Sequence, residues 1–225
     1  MIFIFDSKNT ASPFVEAIWR TQSLLGGSFI SPAVSTWEMV VTRQYGKITM
    51  NVRGPETRAT LAPIPENAEF LGITFKQGTF MPYLPVRNLV DAAVNLPTSS
   101  GNAFWLNGSL WQFPDFENAE TFISKLVRQD LLVNDAVVQD ALLDRRQQIS
   151  VRSMQRRFVN ATGLTFKALQ QIERARQASQ LLEEAVPILE VVHLTGYFDQ
   201  SHLTNSLKRF IGQTPAQMLK SNQPE

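Results

Sequence analysis

The sequence has no cysteine and only two histidines, His193 and His202. A disulfide framework and a thiolate metal site are therefore excluded, and two histidines cannot form a histidine-rich metal centre. No apolar run approaches the roughly 18 residues of a membrane-spanning helix. We therefore expect a cytoplasmic protein that has no membrane partner and binds no metal.

Signals of catalysis are also missing. No glycine-rich loop follows a predicted strand, no nucleophile elbow is present, and both histidines fall in the helical C-terminal part. The acidic pair Glu66 and Glu69 is far more typical of a solvated loop than of an acid–base site. The sequence predicts no enzyme and no cofactor.

What the chain does have is an ordinary globular composition over 225 residues, with 44% hydrophobic and 18% charged residues. That length suits two modest domains. The first six residues lack the basic segment and the apolar length of a signal peptide, and we expect them to contain a first strand instead.

Charge is distributed unevenly along the chain. From residue 145 onward there are 11 Lys or Arg and 6 Asp or Glu residues, a net charge of +5, whereas the preceding 144 residues carry a net charge of −4. The stretch 145–171 contains no acidic residue. A local positive potential is what binding to nucleic-acid phosphates requires, although a solvated basic face would show the same composition.

Residues 150–158 predict a short helix with two unlike faces. Ser150 is a suitable N-cap and Gly163 a suitable C-terminal stop. One face is an apolar stripe at helical spacing, formed by Val151, Met154 and Phe158. The other face presents side chains that make paired hydrogen bonds to guanine and adenine edges in the major groove, namely Arg152, Gln155 and Arg156. Such a helix either contacts bases or is a solvated basic helix.

Residues 199–215 predict a second helix of this kind. Asp199 is a suitable N-cap, Gly212 ends the helix, and Thr214 followed by Pro215 begins another one. The core stripe consists of Leu203, Leu207 and Phe210. The opposite side is polar and carries Gln200 at its leading end, followed by Ser201, Asn205 and Lys208.

Each of these presenting helices follows another predicted helix, at residues 135–143 and 187–194. The chain therefore contains two predicted helix-turn-helix units. A longer helix from residue 166 to about 184 connects them. Its apolar stripe at helical spacing consists of Ala168, Ile172, Ala175, Ala178 and Leu182.

Both halves of a longer motif are present. The first half is carried by Ser150, Arg152, Met154, Arg156, Phe158, Gly163 and Arg174-Ala175. The second half is carried by Gly196-Tyr197, Asp199, Ser201, Leu203, Lys208-Arg209 and Gly212-Gln213-Thr214-Pro215. With this spacing, roughly the last 85 residues resemble the DNA-binding domain of the AraC/XylS family of bacterial transcription regulators. Three positions depart from the family pattern: Val192, Leu207 and Asn205, of which Asn205 replaces a common Arg and shortens a candidate DNA contact.

The resemblance implies that the long helix holds two presenting helices in successive major-groove segments, about 34 Å apart. We expect base readout by Arg152, Gln155 and Arg156. The family's second presenting surface aligns with Gln200, Ser201, His202 and Asn205. Candidates for phosphate contact are Ser150, Thr204, Lys208 and Arg209. Two alternatives stay open, since Arg157 can pack across its helix or pair with an acid, and His202 can be an ordinary surface histidine.

Residues 1–115 predict β structure. Runs rich in Val, Ile and Thr, bounded by Pro and Gly, indicate strands at 2–5, 37–43, 47–53 and 69–75, with a turn at Tyr45-Gly46. A short helix is predicted at 86–96 and a polar loop at 97–102. The motifs that resemble the N-terminal domains of one AraC-like subgroup are Ile18-Trp19-Arg20, Gly54-Pro55-Glu56-Thr57, and Gly72-Ile73-Thr74-Phe75 followed by Gly78. This resemblance implies a cupin-like β fold.

We therefore predict an α+β protein with two domains. Residues 1–115 form a β-rich domain, a cupin-like barrel or sandwich, and residues 116–225 form an all-α domain of two helix-turn-helix units joined by a long helix. A helix at 118–131 follows the border near Pro114. One face of that helix carries Phe122, Ile123, Leu126 and Leu131.

The predicted function is sequence-specific transcription regulation. The partner is double-stranded DNA, with a small-molecule effector, RNA polymerase and a second copy of the chain as further candidates. The first domain has three open roles: sensing a small molecule or dimerising, binding a protein partner, or retaining an enzymatic activity. Sensing predicts a buried pocket lined by aromatic residues, for which Trp19, Trp37, Phe75 and Tyr83 are available. If the first domain binds a protein partner, we expect an exposed apolar patch on its surface. If it retains an enzymatic activity, we expect clustered carboxylates or a bound metal.

Overall fold

The computed structural model describes residues 3–8, 10–99, 102–143, 145 and 149–221. The strands in these ranges are β1 Phe3–Lys8, β2 Val15–Ser23, β3 Gly27–Ser31, β4 Glu38–Gln44, β5 Lys47–Arg53, β6 Thr60–Ile64, β7 Ala68–Phe75, β8 Thr79–Phe80, β9 Ala93–Leu96, β10 Thr98–Ser99, β11 Ala103–Leu106, β12 Ser109–Gln112 and β13 Val133–Asn134. The helices are α1 Ala119–Arg128, α2 Ala136–Leu142, α3 Val151–Thr162, α4 Phe166–Glu183, α5 Ile188–Thr195, α6 Gln200–Phe210 and α7 Pro215–Ser221, besides a 3-10 helix at Val86–Asn88. The predicted α+β class, strand-rich first and helical afterwards, is confirmed. None of the described helices is both long and apolar enough to cross a membrane.

Six strands form an antiparallel sheet in the order β1-β2-β7-β4-β5-β9. The strands predicted at 2–5, 37–43, 47–53 and 69–75 correspond to β1, β4, β5 and β7. Among the described strands, β1 and β9 do not pair with each other, and the remaining strands form two- and three-stranded sheets of their own. Of the predicted cupin-like barrel or sandwich, the closed barrel is not formed, because the described sheet keeps two open edges instead of closing on itself.

The hairpin of β4 and β5 forms at the predicted turn. Tyr45 and Gly46 have φ values of 49° and 74°, as the two central residues of a type I′ turn require. This turn sets a register in which Met39 lies opposite Val52 and Val41 opposite Met50. All four of these side chains are buried, so the local turn and the hydrophobic pattern specify the same register.

The helix predicted at 86–96 is wrong. Only Val86–Asn88 is helical, as a single 3-10 turn, and Asp91 has a φ of 54°. Beyond it, β9 pairs with β5, from Leu96 opposite Met50 to Ala93 opposite Arg53. Hydrogen bonds to a neighbouring strand outweigh the weak local helix preference of this short apolar run. The loop predicted at 97–102 likewise contains β10, which pairs with β11.

The core of the strand-rich part includes both the sheet and α1. The predicted apolar face is confirmed for the three members that lie on α1, since Phe122, Ile123 and Leu126 are buried. The helix predicted to reach residue 131 ends at Arg128, so Leu131 is buried in the core but lies beyond the helix. Within the same core, the rings of Trp37 and Phe75 stack with centroids 3.9 Å apart. Trp37 Nε1 donates to the Thr79 carbonyl at 2.6 Å, so its only polar group is satisfied on burial.

The described residues divide into two compact units. The first is built from the segments up to residue 27, 36–55 and 63–165, and therefore contains α3. The second is built from 28–35, 56–62 and the chain from residue 166 onward. Two short segments of the strand-rich half thus belong to the unit that contains α4–α7. The domain boundary at residue 116 stays a prediction.

Candidate nucleic-acid interface

The first presenting helix is α3, and its ends form as predicted. Ser150 is the N-cap, and its hydroxyl accepts from the Ser153 backbone N–H at 3.2 Å. Gly163 follows the helix with a φ of 77°, a left-handed conformation that glycine adopts without steric penalty. Helix α2, capped by Asp135, precedes α3, so the first predicted helix pair is present.

Burial of α3 is concentrated in its C-terminal half. Phe158 is buried, Met154 is half-buried, and Val151 is 66% exposed. The predicted burial of Val151 is therefore wrong. The 3-10 helix Val86–Asn88 packs against the C-terminal half of α3, where Arg87 donates to Asn160 Oδ1. The first turn of α3 lies beyond this contact, so the side chain of Val151 remains exposed to solvent.

The polar face of α3 is accessible. Arg152, Gln155 and Arg156 are all exposed, and their i, i+3 and i+4 spacing places them side by side on the helix. In the described part of the chain none of the three forms an ion pair or a side-chain hydrogen bond. Their guanidinium and amide groups are therefore available for paired hydrogen bonds to base edges.

Arg157, beside this face, is engaged within the protein. Its Nε and Nη2 atoms donate to Asp135 Oδ2 and Oδ1 at 2.9 and 3.0 Å. Asp135 also accepts from the Val137 and Val138 backbone N–H groups as the cap of α2. Pairing with an acid, one of the two alternatives for Arg157, is confirmed. Sequence reasoning missed this role of Asp135, since an N-cap is recognisable locally but its partner lies 22 residues away.

The second presenting helix is α6, preceded by α5 as predicted. Asp199 is its N-cap and accepts from the His202 backbone N–H at 2.7 Å. The predicted core stripe is confirmed, since all three members are buried: Leu203, Leu207 and Phe210. Gly212 lies just beyond the helix with a φ of 80°, consistent with its predicted role as a stop.

Polar side chains cover the other side of α6. The exposed residues are Gln200, Ser201, His202, Asn205, Lys208 and Arg209, and Thr204 is half-buried. The His202 ring packs edge-on against the Tyr197 ring, with centroids 5.1 Å apart. Tyr197 is buried beneath it, which raises the pKa of its hydroxyl, and that hydroxyl forms a hydrogen bond with Ser206 Oγ at 2.7 Å. His202 is therefore exposed, and its ring contacts that of Tyr197.

The helices that flank these units follow the predicted pattern. Four residues of the α4 stripe are buried and one is half-buried: Ile172, Ala175, Ala178 and Leu182, with Ala168 half-buried. Helix α7 begins at Pro215 after a reciprocal capping box. The Thr214 N–H donates to Gln217 Oε1 at 2.8 Å, and the Gln217 N–H donates to Thr214 Oγ1 at 3.3 Å.

Of the four aromatic residues expected to line an effector pocket, two are in the packed core and two, Trp19 and Tyr83, are half-buried. Trp37 and Phe75 fill the core, and the Trp19 ring lies directly against Gly72, where a Cβ would not fit. Tyr83 is half-buried, and burial raises the pKa of its hydroxyl. Across the described residues, no group of three or more His, Asp or Glu is placed to hold a metal.

A groove of about 650 Å³ lies elsewhere on the first unit, between β12 and α1. Its apolar lining includes Trp111, Phe113 and Phe122, all of which are buried. Two cations, Lys125 and Arg128, also line it, and none of the described residues that line it is acidic. The groove therefore combines an apolar floor with a positive rim.

Comparisons with known proteins identify the C-terminal part. A family model described as "Helix-turn-helix domain" matches residues 143–221. Two relatives are named HTH-type transcriptional regulator RipA. The relative from Corynebacterium glutamicum is 34% identical over 70 residues, which is 31% of this chain and 21% of the relative. The relative from Corynebacterium diphtheriae is 38% identical over 68 residues, which is 30% of this chain and 20% of the relative.

The chain thus spans about a fifth of the length of the relatives it matches.

Two solved structures of ToxT from Vibrio cholerae match with TM-scores of 0.38 and 0.40 and identities of 12% and 13%. They cover 96% and 97% of this chain and 98% and 99% of the ToxT chains. The predicted helix-turn-helix domain in the C-terminal part is confirmed by the family model over residues 143–221.

Proposed function

We propose that this chain, whose residues 143–221 match a helix-turn-helix domain and resemble that of AraC/XylS regulators, is a sequence-specific DNA-binding transcription regulator. The observation that carries the proposal is a repeated geometry. Helices α3 and α6 each follow a shorter helix, bury apolar residues on one side and expose polar side chains. A helix presented in this way fits the major groove, where Arg pairs with guanine and Gln with adenine.

The proposed contacts fall into three groups. On α3, base readout is assigned to Arg152, Gln155 and Arg156. On α6, the second presenting surface comprises Gln200, Ser201, His202 and Asn205. Phosphate contacts are assigned to Ser150, Thr204, Lys208 and Arg209. Two such helices in successive major-groove segments require an operator with two short blocks about 34 Å apart, one turn of B-DNA.

The test is selection of bound duplexes from a random DNA pool with the purified full chain, at two salt concentrations. The proposal predicts an enriched motif with two blocks about one helical turn apart. The motif should persist at the higher salt, because base contacts do not depend on counterion release. Binding without any enriched motif, lost at higher salt, would instead mean a non-specific basic surface.

For the strand-rich part, we propose that the groove between β12 and α1 binds a small anionic effector with an apolar body. Lys125 and Arg128 form no ion pair among the described residues, so both charges are available to a carboxylate or a similar anion. The floor of Trp111, Phe113 and Phe122 supplies apolar contact area. Aromatic or aliphatic carboxylates are the ligand class that fits this combination.

The anionic aromatic dye 8-anilinonaphthalene-1-sulfonate tests the groove. Saturable fluorescence should weaken in Lys125→Gln and Arg128→Gln, and stay unchanged in Lys47→Gln, which removes an exposed charge outside the groove. Dye binding that survives both groove substitutions would favour the alternative role, a protein-interaction surface. The exposed pair Trp105 and Leu110, opposite each other on β11 and β12, supports that alternative.

A further inference from the structure

Two segments of the strand-rich half pack with the second helix-turn-helix unit, residues 28–35 and 56–62, here termed the arm. The arm is held together by the pairing of β3 with β6. Val34 and Glu56 also exchange two backbone hydrogen bonds, at 3.1 and 2.9 Å, and Ser31 Oγ donates to Glu56 Oε2 at 3.3 Å. Two stretches that are distant in sequence thereby form a single element.

The arm reaches the carboxyl end of α6 with two backbone donors. The Ala33 N–H donates to the Phe210 carbonyl at 2.6 Å, and the Ala59 N–H donates to the Arg209 carbonyl at 2.8 Å. The last carbonyls of a helix have no donor within the helix itself. The arm therefore satisfies acceptors that α6 cannot satisfy alone, and Ala33 is completely buried, which shields its bond from water.

Gly212 permits this close approach. A Cβ at Gly212 would lie 2.5 Å from Ile30 Cγ2 and 3.1 Å from Ala59 Cβ, so any larger residue would push the arm away. A second anchor lies on the connecting helix α4, where Glu173 accepts a hydrogen bond from Ser35 Oγ. The arm therefore contacts both α6 and the helix α4 that precedes it in the unit.

We infer that Ala33 and Ala59 are positioning residues for the second presenting helix, an inference that rests on the proposed function. Two donors on separate segments fix the position and the rotation of the end of α6. That end carries Lys208 and Arg209, the proposed phosphate contacts. The DNA block contacted by α6 should therefore depend on residues that lie 150 or more positions earlier in the chain.

The experiment compares four versions of the full chain: wild type, Gly212→Ala, Gly212→Ala with Ile30→Ala, and Gly196→Ala. Gly212 and Gly196 both have left-handed φ values, 80° and 67°, so alanine strains the backbone at either position. A Cβ at Gly196 would meet no described atom within 4 Å. Ile30→Ala removes the side-chain atom nearest to the new Cβ at Gly212 and leaves the backbone strain unchanged.

Two measurements are made on each version. Hydrogen exchange of residues 28–35 and 56–62, without DNA, reports whether the arm is bound to α6. Hydroxyl-radical footprinting on the selected duplex reports the two DNA blocks separately. Gly212→Ala should lose arm protection and the footprint of the α6 block, while the α3 block persists. The double variant should regain both signals, and Gly196→Ala should keep the arm protected.

The inference is overturned if Gly212→Ala keeps both footprint blocks after arm protection is lost. It is also overturned if the second block disappears and Ile30→Ala does not restore it, because backbone strain would then explain the loss. A wild-type chain with a protected arm but no footprint on any duplex would overturn the proposed function itself, and with it the role of the arm in DNA binding.

Discussion

Arg156 and Arg157 are neighbours on α3 that should respond in opposite ways to alanine substitution. Arg156 is exposed and makes no ion pair in the part of the chain that the structure describes, so its guanidinium can pair with a base. Arg157 is held by Asp135 through two hydrogen bonds. We therefore expect Arg156→Ala to change DNA specificity without changing stability, and Arg157→Ala to lower stability without changing base preference.

The magnitudes follow from the two environments. A bidentate contact from Arg to guanine contributes about 1–3 kcal/mol of discrimination, so Arg156→Ala should lower the preference for the cognate base about 5- to 150-fold. The side chains of Arg157 and Asp135 are 48% and 11% exposed. Solvent screening at the arginine limits the stabilisation from this pair to about 1 kcal/mol, which corresponds to a Tm decrease of about 2–4 °C.

Fluorescence anisotropy with the selected duplex, and with duplexes that carry single base changes, measures the preference. Thermal unfolding measures stability on the same samples. If Arg156→Ala weakened binding to every duplex by the same factor, its guanidinium would contact phosphate and the proposed docking would be refuted. If Arg157→Ala flattened base preference at an unchanged Tm, the assigned roles of the two arginines would be reversed.

Three further predictions concern salt, backbone conformation and pH. Lys208→Ala should weaken binding to all duplexes alike and reduce the slope of log affinity against log salt by about 1; an unchanged slope would remove Lys208 from the phosphate contacts. Gly163→Ala should lower the free energy of unfolding in urea more than Gly108→Ala does. Both glycines have left-handed φ values, 77° and 75°, so the backbone strain of the two substitutions is similar. A Cβ at Gly163 would lie 3.1 Å from the Val86 carbonyl oxygen, whereas one at Gly108 would meet no described atom within 4 Å. Equal losses of unfolding free energy in the two variants would contradict the packing of α3. Burial raises the pKa of Tyr83 above its unfolded value, so the folded chain holds this proton more tightly, and the resulting stability is present below about pH 10 and lost as pH rises further. Tyr83→Phe should flatten this alkaline loss in unfolding curves recorded between pH 8 and pH 11, and an unchanged curve would exclude Tyr83 as its source.

The predictions that succeeded depend on residues close together in sequence. Helix α6 was predictable because Asp199 caps it and Leu203 and Leu207 recur at helical spacing. The hairpin at Tyr45-Gly46 was predictable because its turn needs two residues with positive φ. Such preferences act over one or two turns of chain, so they indicate the same structure whatever lies around them.

The predictions that failed depend on distant partners. The run at 86–96 is apolar and short, and only the presence of β5 beside it decides that β9 is a strand. Val151 fits an apolar stripe by spacing, but the neighbouring segment packs at the other end of α3, where Arg87 meets Asn160. Neither outcome is encoded in the local pattern, because each is set by which surface lies nearby after folding.

The sequence by itself determined the two helix-turn-helix units and the polar residues they present, because caps, stops and helical periodicity act locally. Only the tertiary structure decided that Arg157 is paired while Arg156 has no ion pair with any residue that the structure describes, since two adjacent arginines look alike until Asp135 is brought to one of them. Only the tertiary structure decided that the backbone N–H groups of Ala33 and Ala59 donate to the last carbonyls of α6. A backbone N–H carries no sequence signal for the carbonyl it will meet, and that pairing is set by the packing of segments far apart in the chain.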